Sequence, residues 1–321
     1  TAITQIYQTG ATQNFSDKHP FRSYFEEVEI GDSLETAGRT VTEADIVNFS
    51  NVSWDHFYAH TDATSLNGTI FDKTVAHGYF ILSAAAGLFV SGKKGPVIAN
   101  YGLENANFFK PVYAGDTITV YLTAKEKINK GVKGRNIPSG VVKWLVEVVN
   151  QREETVCVAT ILTLVAKKSP FIKIDYKDFT KRLQLLNKET SPKWGRMNVQ
   201  EMLEHLETTM KYSTGELETD SCKTPEEQIE AFQDSLYNFR KMPKDFPAPF
   251  LEDGKLPVLK YKNLEEAKTN FLESVKNYQI YYRENPEAEH LHFIFGKLNK
   301  DMMELFHQKH VTHHFEQFGL A

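Results

Sequence analysis

The sequence predicts two domains of different class: an α+β domain, in which an antiparallel sheet surrounds one central helix, then an all-α bundle of four or five helices. Three observations carry this. Strand-like alternation recurs between residues 117 and 165, a single apolar helical stretch precedes it at Val75–Val90, and helical periodicity takes over after Ser169-Pro170. A period of two lines one face of a strand and a period of 3.6 lines one face of a helix, so the switch marks a change of architecture.

Residues 1–19 are rich in Thr, Gln, Ser and Gly without periodicity and read as a linker. The absence of an initiator Met suggests a processed chain or a piece of a longer one. The first domain spans 20–169. In it, the Ala and Leu content of Val75–Val90 favours helix, and an apolar surface nearly all round predicts burial on most sides. Thr117–Thr123 puts Ile118, Val120 and Leu122 on one face of a strand. Val141–Val149 and Thr155–Val165 are β-rich runs joined by the polar Asn150–Glu154, a hairpin signal.

The second domain spans 172–321. Its helices are expected at Tyr176–Leu186, Val199–Leu217, Pro225–Arg240, Leu264–Tyr282 and Lys300–Phe318. Asn198 with Glu201 has the spacing of a capping box, and Pro225-Glu226 suits a helix start. Lys241–Lys262, with four prolines and little periodicity, is a long connection.

Composition narrows the class of function. Apolar residues at 41% and charged residues at 25% are ordinary for a globular protein, and a net charge of −5 gives no footprint for nucleic acid. Cys157 and Cys222 are far apart and form no CxxC pair, as in a reducing compartment. No signal peptide is evident, and Val75–Val90 is too short to span a bilayer. A cytoplasmic protein without membrane contact is expected.

Asp55 and His60 lie five positions apart among loop and turn residues. A carboxylate can take a proton from water while an imidazole orients that water or donates. The same spacing fits an Asp that caps a short helix with a His packed beneath it. His77-Gly78 then opens the apolar helix. The first N–H groups of a helix lack internal partners and carry partial positive charge, and a glycine there lets a ligand carbonyl come close. A tight-packing glycine beside a core histidine would look alike.

Taken together, Asp55–His60, Val75-Ala-His-Gly78 and Pro111-Val-Tyr-Ala-Gly-Asp116-Thr-Ile resemble the MaoC-like (R)-specific enoyl-CoA hydratases over roughly 20–168. The resemblance implies a hot-dog fold, catalytic roles for Asp55 and His60, the Gly78 N–H as oxyanion donor, and Tyr58, His77 and Tyr79 beside an acyl-CoA substrate. It also implies a homodimer or higher oligomer and no cofactor for the hydratase. Phe57-Tyr58-Ala59-His60, His77–Phe89 and Asn100-Tyr-Gly-Leu-Glu104 are similar to the hydratase domain of the bifunctional ring-opening enzyme of phenylacetate degradation. In that enzyme this half hydrolyses oxepin-CoA and an aldehyde dehydrogenase half oxidises the product. The present sequence contains no cysteine nucleophile or nicotinamide fingerprint for the oxidation, so an aldehyde dehydrogenase would be a partner. Two departures stand out. The Asn-Pro that family members place between the Asp and His is replaced by His56-Phe57-Tyr58-Ala59, and Ser83 sits too early in the helix for the helper serine of some hydratases.

Seven of the 11 histidines follow residue 200. His310 and His314 share one helix face, with His307 near them and Val311, Phe315 and Phe318 turning that sector towards the core. Two imidazoles at i and i+4 suit a divalent metal, and His205 could add a third ligand; a solvated polar face would also accommodate them. Met197–His205, Phe295-Gly-Lys-Leu and Lys309–Gly319 resemble a DinB-like bundle over about 172–321, which implies a divalent transition metal (zinc or nickel) on His205, His310 and His314. Two alternatives to hydration follow: a hot-dog acyl-CoA thioesterase, or an acyl-CoA-binding scaffold whose bundle carries the activity. Hot-dog thioesterases usually place their acid or nucleophile on the central helix, and Val75–Val90 carries none.

Overall fold

The computed structural model describes residues 14–15, 18–131, 134, 136–244 and 258–321. Residues 1–131 with 138–168 form one unit, and 132–137 with 169–321 form another. In the first unit the chain runs through strands β1 (Asn14–Phe15), β2 (Asp32–Glu35) and β3 (Arg39–Thr40), helices α1 (Glu43–Ser53), α2 (Tyr58–Thr61) and α3 (Gly78–Phe89), then strands β4 (Val97–Phe108), β5 (Thr117–Asn129), β6 (Ser139–Asn150) and β7 (Thr155–Ala166). The sheet order is β1-β2-β5-β6-β7-β4, with β3 also pairing β5. All pairings are antiparallel except β1 with β2.

Alternation explains the long strands. Ile118, Val120 and Leu122 of β5 and Val142, Trp144, Val146 and Val148 of β6 turn inward and meet Ile81, Ala85 and Phe89 of α3. The one polar atom of the Trp144 side chain is satisfied, because its indole N–H donates to Thr163 Oγ1 at 2.8 Å. α1 begins at a capping box: Thr42 Oγ1 accepts from the Asp45 N–H, and Asp45 accepts from the Thr42 N–H.

Several expectations are corrected here. The linker does not extend to residue 19: Asn14–Phe15 pairs with Asp32-Ser33, and a His19 ring nitrogen lies 2.8 Å from the Phe89 carbonyl. The remainder of 1–17 lies outside the described residues. α3 starts at Gly78, not Val75, because Val75 bridges Tyr113 and the Ala76 N–H donates to the Val112 carbonyl. Nor is α3 buried on most sides, since Tyr79, Ser83, Ala86 and Val90 form an exposed stripe. The short strands β2 and β3, helix α1 and the long strand β4 were not anticipated.

The second unit contains α4 (Tyr176–Leu183), α5 (Val199–Thr214), α6 (Glu226–Tyr237), α7 (Leu264–Glu284), strands β8 (His290–His292) and β9 (Gly296–Leu298), and α8 (Lys300–Gln317). Five helices are present among the described residues, and Asn198 and Glu201 form both arms of the expected capping box. α5 stops at Gly215, whose left-handed φ of 75° ends the helix, so the segment from Trp194 to Asn198 precedes it and Leu217 lies beyond it. The domain is not purely helical: β8 and β9 pair as a hairpin turning at Phe293–Phe295. Residues 245–257 of the proline-rich connection lie outside the described residues. Phe179, Leu203, Leu206, Phe271, Val275 and Phe315 are central to the core. No helix among the described residues is long and apolar enough to cross a membrane.

Candidate functional site

Two clusters of titratable side chains merit description, one in each unit. The first is built where α1 ends. Trp54 closes that helix in the left-handed region (φ 64°), a conformation costing a bulky residue about 1 kcal/mol or more. Asp55 follows, its N–H donating to Ser53 Oγ and its Oδ1 accepting from the Phe57 N–H, each at 3.2 Å. That turn launches α2, which carries Tyr58 and His60.

His60 Nδ1 lies 2.7 Å from the Val75 carbonyl. A carbonyl only accepts, so Nδ1 bears the proton and Nε2 is left as an acceptor. His77, the N-cap of α3, is 1% exposed. Its Nε2 lies 3.0 Å from the Asp55 carbonyl, which fixes that nitrogen as the donor, and 3.2 Å from Ser50 Oγ. Burial is the main force lowering its pKa, and the nearby His60 adds to the effect. The His60 and His77 rings stack with centroids 3.7 Å apart. Asp55, His60 and His77 each offer one atom to a cluster spanning no more than 4.8 Å.

Helix α3 starts one residue after His77 and has no side-chain cap. A Cβ added at Gly78 would lie 2.7 Å from the Phe108 ring, so a larger residue there would have to push that half-exposed ring aside. Of the residues singled out from sequence, Asp55, His60, His77 and Gly78 are thus held close together. Tyr79 is 71% exposed and Tyr58 also faces outward. Ser83 Oγ donates to the Tyr79 carbonyl within its own helix. Ser50 and Phe108, which hold His77 and Gly78, were missed. Cys157 is buried, with its thiol pushed up to about 11, and is no nucleophile.

The second cluster joins α5 to α8. His205 Nε2 lies 2.9 Å from His310 Nε2, which lies 3.2 Å from His314 Nε2. All three imidazoles are buried. Gln317 sets one tautomer: its amide nitrogen donates to the Trp194 carbonyl, so its oxygen faces His314 Nδ1 at 2.9 Å and accepts that proton. His314 Nε2 then points a lone pair at the other two rings. Ligand nitrogens about 2.0–2.1 Å from a tetrahedral ion sit roughly 3.3 Å apart, close to what is found. The residues therefore fit a metal. Burial lowers His205 to about 4 and pushes His310 and His314 well below the usual range. His307 lies apart from the trio, with Nε2 2.6 Å from Ser213 Oγ. Gln317, three residues from His314 on the same helix face, could have been found from spacing.

Comparison with known proteins finds two family models. One, described as a MaoC like domain, matches residues 26–143; the other, a protein of unknown function (DUF1569), matches 256–319. The protein MaoC of Klebsiella aerogenes is 57% identical over 128 residues, covering 40% of this chain and 38% of that protein. The (R)-specific enoyl-CoA hydratase of Rhodospirillum rubrum is 34% identical over 103 residues, covering 31% of this chain and 68% of that enzyme. A solved monoamine oxidase regulatory protein from Archaeoglobus is 35% identical, covering 49% of this chain and 99% of its own, with a TM-score of 0.43. The chain thus spans well under half of the MaoC relative and about two thirds of the hydratase.

Acid should loosen the second unit. Burial keeps His205, His292 and His307 neutral, with pKa values lowered to about 4, about 3 and about 3. Unfolded, each would titrate near ~6.5. Below that pH the unfolded chain binds protons the folded chain refuses, so stability is full above about pH 6.5 and declines as pH falls towards about 4 and then about 3. In chelator-treated protein, the calorimetric transition of this unit is expected to drop by several degrees between about pH 7.5 and about pH 5. A transition temperature that stays constant over that interval would contradict the assignment of neutral buried imidazoles.

Proposed function

Through its first domain the chain belongs to the MaoC-like family, and on that footing we propose that it adds water to an unsaturated acyl-CoA thioester, in the manner of an (R)-specific enoyl-CoA hydratase. The supporting observation is the convergence of Asp55 with His60, whose acceptor nitrogen is left open, beside the uncapped start of α3. In this reading the thioester oxygen accepts from the Gly78 N–H, and water sits between Asp55 and His60. The Asp55 carboxylate takes a proton while the water oxygen bonds to the β-carbon. The π electrons move to the thioester oxygen, where the helix start stabilises the enolate. The proton taken up by Asp55 then passes to the α-carbon, so that H and OH have been added across the double bond and the carboxylate is regenerated. His60 Nε2 accepts a hydrogen bond from the water and aims it. Oxepin-CoA would be a cyclic case, in which addition to the enol ether is followed by ring opening.

Crotonyl-CoA tests this. Loss of the conjugated thioester absorbance without release of free thiol is expected; thiol release would point to a thioesterase. Asp55→Asn keeps the shape and removes the base, and should lower kcat by at least ~100-fold. Turnover near the parent value would eliminate Asp55 as the base.

The acyl-CoA reading goes with a dimer. Edge strand β4 exposes Ile98, Tyr101, Leu103 and Phe108, and Val52, Trp54 and Ile70, near the cluster in sequence, are 83%, 85% and 87% exposed. A second copy would cover such a surface. Leu103→Asp should shift the sedimenting species from dimer to monomer, and a parent chain that is already monomeric at assay concentration would refute the proposal.

For the second domain we propose a divalent transition metal, zinc or nickel, on His205, His310 and His314. Supporting it are the short Nε2–Nε2 distances and the tautomer imposed by Gln317. When bound, such an ion would supply Lewis acidity at its open position. About one equivalent should remain on tag-free protein, none on His310→Ala, and affinity should fall roughly 10–100-fold in Gln317→Ala. Less than ~0.2 equivalents after growth in metal-supplemented medium would dispose of it.

A further inference from the structure

The imidazole trio of the second domain borders a cavity of about 380 Å³. Its walls include Phe232, Phe293, Phe295 and Phe306, and His205, His310 and His314 form part of its lining. Its charged lining is of one sign among the described residues: Arg240, Lys241 and Lys309 contribute, and no carboxylate does.

These cations are not equivalent. Lys309 Nζ spends its three protons on the Ser235 carbonyl, Asn238 Oδ1 and the Arg240 carbonyl, at 2.9, 3.3 and 3.0 Å. It therefore works as a clamp, fastening the segment after α6 to α8. Lys241 is engaged by Glu316 at 2.5 Å. Arg240, whose backbone the clamp holds, has an exposed side chain with no ion-pair partner among the described residues. A neutral donor joins it: His292 Nδ1 accepts from the Ile294 and Phe295 N–H groups at 3.1 and 3.3 Å, so Nε2 carries the proton. Among the described residues the lining thus combines aromatic walls, the Arg240 side chain, an imidazole N–H and the trio of nitrogens, with no carboxylate to attract a cation.

We propose that this cavity binds a small carboxylate with an apolar, aromatic-sized body, its ring among the phenylalanines and its carboxylate directed to Arg240, His292 and the ion held by the histidine trio. Apolar walls with a few convergent polar groups are what a small-molecule site presents, and a guanidinium meets a carboxylate with paired donors. The part played by the ion rests on the metal reading above; the walls and Arg240 do not.

The probe is 2-naphthoate, with 2-naphthamide as its uncharged counterpart, titrated into the full chain loaded with cobalt(II). Visible absorption of the cobalt and calorimetry are read together. Naphthoate should bind with one-to-one stoichiometry and alter the cobalt bands. Naphthamide should bind about tenfold more weakly, and Arg240→Ala should weaken naphthoate about tenfold with cobalt uptake unchanged. Cobalt bands that naphthoate leaves untouched, equal binding of the two probes, or indifference to Arg240→Ala would each overturn the proposal. If cobalt is not taken up but naphthoate still binds in an Arg240-dependent way, the metal reading fails and the carboxylate site is upheld.

Discussion

The hydrogen bond from His77 Nε2 to the Asp55 carbonyl is the contact on which the first cluster depends. It ties the residue after α1 to the residue before α3, two segments separated by more than 20 positions. Without that acceptor the buried imidazole N–H would be left with only the longer contact to Ser50 Oγ at 3.2 Å. The ring also stacks on His60. One neutral side chain therefore fixes the backbone that presents the carboxylate and the face of the ring beside it.

A buried, uncharged imidazole is common to both clusters. In the first domain, burial keeps the supporting imidazole uncharged while Asp55 and His60 remain only partly covered. In the second, burial is nearly complete, and the Nε2 atoms of three rings face one another instead of water. The two domains thus use histidine differently: one imidazole holds a loop in place, and three others converge on a point.

Regular alternation made much of this fold legible. β5, β6 and β7 follow it, and their expected bounds fall within the observed strands. β4 escaped because register shifts between Val97 and Ala99, Asn100 and Gly102, and Glu104 and Asn107 break its alternation. α1 was overlooked although Thr42 and Asp45 spell out its cap, and the β8–β9 hairpin is too short to leave a period. Asp55 with His60, and His77 with Gly78, were each within reach as local pairs, but the 22 positions from Asp55 to His77 were bridged only by the MaoC-like resemblance. His205 was less so: its approach to His310 spans 105 positions, so it could be named only as a histidine on another helix, a choice the DinB-like resemblance then strengthened. Arg240 carried no signal, since only the fold brings it to an aromatic cavity.

The contact between Gly78 and the Phe108 ring bears on how such a protein could diversify. A side chain at position 78 would have to displace the ring of the edge strand, so packing favours leaving the tip of α3 as a bare array of amide groups. Change could accumulate more freely at the outward-facing tyrosines and in the loop around Trp54, which meet no such constraint. The helix start would be the constant part, and the exposed surface beside it the variable one.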